Sequence, residues 1–361
     1  MHLPPLEVAV YPVTTMSRGA YYSRPARPSS VSSSSSASST SSRACTASPD
    51  FLSIQKVIRA VFRSSSLTVH QVERLHGRLH QVYLTKFADG SLLVLKCPPA
   101  HNVRLLRHEK HFLETERTTL ETLHEYTQLP VPQLMKYDGL GGPLGTPYLM
   151  TSYMQGRKLH DMSASLTTSE RRRIDQALGA HVKALTALSA TQFGQTHRVF
   201  AKKGYSTWRE AFLALLESIL RDGEDMLVTV PYDSIRYYIG KHDHYLDEVT
   251  QPRLVAMHVC DPHNVLINEH TKQVSGLVGF SNVVWGDPLM SGGIADGSEA
   301  FFEGLGECPI RAGGVKARLL MYAAYRATVQ IIAHHYRPYQ GIDELAARRQ
   351  LSLALNDLAQ M

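Results

Sequence analysis

Cysteine is scarce: Cys45, Cys97, Cys260 and Cys308 are the four in 361 residues, far apart and without a Cys-x-x-Cys pair. That spacing excludes a disulfide framework and a cysteine zinc site, and it fits a reducing, cytoplasmic setting. No stretch of about 18 uninterrupted apolar residues occurs, so no membrane span is expected. Lys and Arg total 38 against 32 acids, a net charge of +6, but no basic run interleaves with aromatics. The surplus therefore suits an anionic small ligand such as a nucleotide, and no nucleic-acid partner is expected. The 18 histidines are scattered. His334-His335 lies in a helical pattern with no carboxylate or cysteine beside it in the sequence, which argues against a histidine metal site.

Acids are missing from the front of the chain. Between Glu7 and Asp50 there is none, while Arg18, Arg24, Arg27 and Arg43 are present. The stretch "RPSSVSSSSSASSTSSRACTASPD" has almost no large apolar side chains to offset its ordering entropy. Residues 1–50 are expected to form a disordered Ser-rich tail. Basic, Ser-rich and acid-poor is also the composition of a mitochondrial transit peptide. Pro4, Pro5, Pro12, Pro25 and Pro28 break any amphipathic helix there, so the plain tail is preferred.

From Phe51 the pattern becomes globular, and a 43% hydrophobic chain supports an ordinary core. "SIQKVIRAVF" reads as a short helix. "HQVERLHGRLHQVYLTKFADGSLLVLKCPP" alternates apolar and polar residues, with a turn at Asp89-Gly90. "RLLRHEKHFLETERTTLETLHEY" reads as one helix, ended by Pro130 and Pro132. The remainder is mostly helical. Capping boxes are predicted at Thr167 with Glu170 and at Thr207 with Glu210. "VLINEHTKQVSGLVGF" reads as a β-hairpin and "VKARLLMYAAYRATVQIIAHHY" as a late helix.

This order, with the residues at its joints, resembles the aminoglycoside phosphotransferase and choline-kinase-like branch of the protein-kinase fold over about residues 66–340. The resemblance implies an α+β, two-lobed fold: a small β-rich N-lobe over 51–152 with one long helix, and a helical C-lobe over 153–361. It implies ATP as cofactor. Lys96 in "SLLVLKCPP" would contact the phosphates and Glu116 would orient it. Gly77 is the one glycine in the loop over the phosphates, and Thr151, Ser152 and Tyr153 would form the hinge that binds adenine.

Two acids that the family uses are absent. Its catalytic loop reads His-x-Asp, followed by an Asn before a strand. Asn264 stands before "VLI", as the metal-binding Asn would. Counting back five residues from it gives Val259; counting forward from "PRLV", with one inserted residue, gives His258 and puts Ala256 where the His should be. Neither register supplies a carboxylate, and Asp261 lies only three residues before Asn264. In "VSGLVGFSNVVWGDPL" the metal Asp becomes Gly279, so Mg²⁺, which prefers carboxylate oxygen, is expected to bind poorly. Asp287 in "WGDP" is read as structural.

Two functional readings follow. One is a pseudokinase-like member, weak or inactive, that still binds a nucleotide or small molecule. The alternative is an active ATP-dependent small-molecule O-phosphotransferase that uses Asp261 or His258. The sequence does not name the acceptor. Glu299 and Glu303 after the WGDP turn are candidates to attract a cationic one, beside the plainer reading of a solvated loop.

Overall fold

The computed structural model describes residues 49–309 and 314–361, His76 excepted. The tail expected over 1–50 therefore lies almost wholly outside the described residues.

The front of the chain holds α1 (Phe51–Phe62), β1 (Val69–Leu75), β2 (Gln81–Phe87), β3 (Leu92–Cys97), α2 (Phe112–Tyr126), β4 (Leu134–Asp138) and β5 (Tyr148–Ser152). The strands form one antiparallel sheet in the order β1-β2-β3-β5-β4. Alternation decides its faces. In β3, Leu93, Leu95 and Cys97 are buried against Ile54, Val57 and Ile58 of α1, together with Tyr83 and Phe87. Lys96 therefore points from the opposite face. Asp50 caps α1 by accepting from the Ser53 amide, at 2.6 Å.

The segment read as one helix before Tyr126 is two. A 3₁₀ turn over Arg107–His111 precedes α2. Its conformation is set by tertiary ion pairs that apolar spacing does not encode. Glu109 pairs with Arg337 from the far end of the chain, and the Arg107 amide donates to Asp222. Leu120 and Leu123 of α2 belong to the larger, C-terminal core, so the helix that carries Glu116 is packed on both parts of the molecule.

The rest of the chain adds β6 (Arg157–Lys158), α3 (Leu159–Met162), α4 (Thr168–Ala187), β7 (Gly194–Gln195), α5 (Thr196–Phe200), α6 (Trp208–Asp225), α7 (Tyr232–His242), β8 (Arg253–Ala256), β9 (Val265–Ile267), β10 (Val274–Leu277), β11 (Val283–Gly286), α8 (Gly292–Ala295), α9 (Glu299–Leu305), α10 (Val315–Tyr336) and α11 (Glu344–Ala359). Both predicted capping boxes form, at the starts of α4 and α6. The predicted hairpin is β9–β10, with β6 added to its other side. A second small sheet, β7-β11-β8, sets the start of the loop at 257–264. The architecture is α+β: a five-stranded antiparallel sheet in front and a largely helical part behind.

Candidate functional site

Lys96 reaches from β3 to the Glu116 carboxylate of α2, and the ion pair forms. Glu116 is 2% exposed, so few other groups compete for its charge. The loop between β1 and β2 crosses in front. At Gly77 an added Cβ would lie 2.4 Å from the His80 carbonyl oxygen, so the turn closes only without a side chain. At the end of β5, Thr151 is buried, and Ser152 is tied to Gln133 through its amide and its hydroxyl, both at 2.9 Å. Tyr153 follows the strand, and its backbone makes no hydrogen bond among the described residues. Of Thr151, Ser152 and Tyr153, it is the one whose backbone N–H and C=O are unengaged among the described residues.

The loop after β8 places the residues of the two registers differently. Val259 and Ala256 are buried in the core, whereas His258 is exposed. Of the two positions that counting offers, His258 is the exposed one. Asp261 stands on the same loop with both carboxylate oxygens engaged. Its Oδ1 accepts the His263 amide at 2.9 Å, and its Oδ2 faces Arg78 Nη1 at 3.3 Å. Arg78 comes from the β1–β2 turn, whose carbonyl at this residue accepts from Gln340 Nε2 at 2.6 Å. Sequence reading missed Arg78, because only the closed turn brings it across the cleft.

Asn264 and Gly279 are adjacent. The Asn264 carbonyl accepts the Val278 amide at 2.9 Å. Its side-chain Nδ2 donates to the His258 carbonyl at 2.9 Å. Gly279 has φ +85°, and an added Cβ would lie 2.7 to 2.8 Å from the Asn264 amide group. The space where a metal carboxylate would begin is occupied by the Asn264 side chain.

The model of the phosphotransferase enzyme family, APH, matches residues 71–295. The chain belongs to this phosphotransferase family. Solved structures share its fold. The aminoglycoside phosphotransferase APH(4)-Ia, in ternary complex with AMP-PNP and hygromycin B, aligns at TM-score 0.59 and 16% identity over 86% of this chain and 100% of that one. A Thermobifida fusca protein assigned as a fructosamine-3-kinase aligns at 0.58 and 17% over 85% and 99%. APH(2")-IIIa, with GDP and kanamycin, aligns at 0.54 and 17% over 86% and 98%. No curated protein matches the chain.

The residues of this chain do not fit the Mg²⁺ that such a fold implies. Mg²⁺ wants octahedral oxygen, usually with one or two carboxylates. Gly279 supplies none, and Asn264 offers a single neutral oxygen. Among the described residues, no group of three His, Cys, Asp or Glu is placed to hold a metal. The His334-His335 pair does face a carboxylate, contrary to the sequence reading. Glu344 of α11 lies 3.5 Å from His334 and 3.8 Å from His335, brought there by helix packing.

Asp287 is structural, as read. Its buried carboxylate accepts the Leu289 amide at 3.0 Å and the Tyr322 hydroxyl at 2.8 Å, and faces Arg318 Nε at 3.1 Å. Burial pushes its pKa up, and Arg318 opposes that shift. Glu303 pairs with Arg172 of α4, so it is not held ready for a cationic acceptor.

Enclosure dominates the histidines of the cleft. It holds His80, His108 and His258 down to about 4. For His258 the Arg78 charge adds to the effect and Asp261 opposes it. His258 keeps exposed area while protein crowds it, and both facts agree with a neutral imidazole at pH 7.

These depressed values give stability a pH dependence. Above about 6.5, histidine is neutral in both states and the contribution is complete. As pH falls toward 4 the unfolded chain takes up protons that the folded one refuses, and stability drops. Buried His108 alone is worth on the order of 3 kcal/mol across that window. Urea unfolding at pH 7 and at pH 5 is expected to show a lower midpoint at pH 5, and replacing His108 by Gln reduces the difference.

A second expectation concerns Gly279. Alanine there meets both the left-handed φ and the Asn264 amide, and is expected to cost about 1–2 kcal/mol in urea unfolding. Aspartate tolerates that φ better, and Asn264 can swing away by giving up its bond to the His258 carbonyl.

Proposed function

We propose that this phosphotransferase-family protein binds a nucleotide in the cleft between Lys96 and Tyr153 without a divalent ion, and that its phosphotransfer is weak or absent. The observation that carries the reading is the Asn264–Gly279 contact. The one remaining metal-type ligand is folded onto a residue with no side chain. When bound, a nucleoside triphosphate would supply the transferable phosphoryl group. The chain's own residues would position it. Lys96, braced by Glu116, offers a fixed cation to the phosphates, and Tyr153 offers backbone groups to the base. Nothing equally fixed aims an acceptor hydroxyl. His258 accepts a proton as a neutral imidazole, but a base held near 4 is weak at pH 7.

The runner-up reading, an active O-phosphotransferase using His258 or Asp261, is favoured by one observation: His258 is exposed on the loop that ends at Asn264. Turnover decides between them. Phosphate release from ATP with Mg²⁺ is expected at background for the wild type. It is expected to rise in the double variant Gly279→Asp with His258→Asp. Wild-type turnover that His258→Gln abolishes would establish the second reading instead.

A further inference from the structure

The β1–β2 turn is held from two sides by groups far from it in the chain. Gln340, in the 3₁₀ turn Pro338–Gln340 that follows α10, donates from Nε2 to the Arg78 carbonyl at 2.6 Å. Its Oε1 accepts from Arg337 Nε at 3.1 Å. A guanidinium can only donate, so the bond to Arg337 fixes which end of the Gln340 amide faces the turn. Arg337 is itself locked by Glu109, and Glu109 by the Leu106 amide. The line of contacts thus starts in the segment before α2 and reaches the turn. From there the Arg78 guanidinium carries it across to Asp261, at 3.3 Å, on the loop that ends at Asn264.

The turn also puts a side chain next to the phosphate-binding lysine. His80 stands beside the Lys96–Glu116 pair: the charges of both act on it, and its ring centroid lies 6.4 Å from that of Phe112, the first residue of α2. Enclosure keeps its imidazole neutral at pH 7, so it takes up room beside Lys96 without offering a phosphate any charge. A polyphosphate drawn to Lys96 meets His80 there. One that runs on toward Asn264 meets the contact between Arg78 and Asp261.

We propose that Gln340 and Arg78 strap the β1–β2 turn shut over the phosphate end of the cleft, so that the resting protein admits a nucleoside and takes up a nucleoside polyphosphate only after the turn lifts. The gate rests on the nucleotide reading for what it admits; the strap itself does not. The outer links are weak enough to open. Arg78 is 67% exposed in its pair with Asp261, and Gln340 holds the turn by one neutral hydrogen bond. The inner link, Arg337 with Glu109, is buried and stays. Binding that needs the open state is weakened by the fraction of molecules that is open.

The test titrates the full chain in EDTA with fluorescent analogues of ADP and of adenosine. Gln340→Ala is expected to tighten ADP about 3- to 10-fold and to change adenosine by less than about 2-fold. Gln340→Glu keeps an acceptor for Arg337 but turns an oxygen toward the Arg78 carbonyl. It is expected to tighten ADP likewise, and it serves if alanine unsettles Arg337. Hydrogen exchange over residues 77–80 tests the strap without nucleotide, and is expected to be faster in both variants than in the wild type. Unchanged exchange would overturn the strap. ADP affinity unchanged or weakened in the folded variants would overturn the gate, since the turn would then be indifferent to phosphates or helping to hold them. Equal tightening of adenosine and ADP would overturn it too, because the effect would not lie at the phosphate end. If adenosine binds and ADP binds to no variant, the gate fails and the reading of the cleft at Tyr153 stands. If neither binds, the nucleotide reading fails and takes the gate with it.

Discussion

Replacing Arg337 by methionine is expected to lower stability by about 3–5 kcal/mol in urea unfolding. Arg337 is 3% exposed and its partner Glu109 8%. Its guanidinium donates to both Glu109 oxygens, at 2.8 and 2.6 Å, and to the Arg104 carbonyl at 2.7 Å. Glu109 in turn accepts the Leu106 amide at 2.8 Å. Methionine fills part of the space but leaves a buried carboxylate without its cation. Burial already pushes the Glu109 pKa up against the pull of Arg337, so the stranded group will take a proton more readily. Adding Glu109→Gln is expected to recover a large part of the loss, because the uncompensated charge is then gone. If the single variant costs under about 1 kcal/mol, the pair contributes no more than an exposed ion pair would. The pair matters for function because it anchors the segment leading into α2, and α2 carries Glu116.

Replacing Lys96 by methionine is expected to have two separable effects. Stability falls by about 3 kcal/mol, because Glu116 is buried and loses its cation. Nucleotide affinity falls about 10- to 100-fold, because the phosphates lose a fixed charge. The double variant with Glu116→Gln is expected to recover stability but not affinity. Chemical denaturation and titration with a fluorescent ADP analogue read the two separately. Recovery of affinity with stability would mean that Lys96 acts only as a structural partner of Glu116.

The fold was legible where local signals agree with tertiary ones. The alternation in β2 and β3, the Asp89-Gly90 turn and the two capping boxes are short-range features, and each is seen in the structure. Lys96 and Glu116 were legible only through the family resemblance, and the structure joins them in an ion pair. The loop at 257–264 was legible only in part. Counting could not choose between Val259 and His258, since the inserted residue shifts the register; the structure buries Val259 and leaves His258 exposed. Arg78 and Arg337 were not legible at all. Their partners or neighbours lie 183 residues away for Arg78 with Asp261 and 228 for Arg337 with Glu109. The break in the helix before α2 has the same origin, because ion pairs to the C-terminal part set it and apolar spacing carries no trace of them.

The loss of the metal carboxylate at Gly279 is tested most directly by the melting temperature of the wild-type chain with saturating ATP, measured in EDTA and again in excess Mg²⁺. A ligand that binds the folded state alone raises the melting temperature, with the logarithm of its concentration over its Kd. The same upward shift in both buffers is the predicted result. A shift that occurs only with Mg²⁺ would contradict it, because some carboxylate other than residue 279 would then have to be gripping the ion beside Asn264.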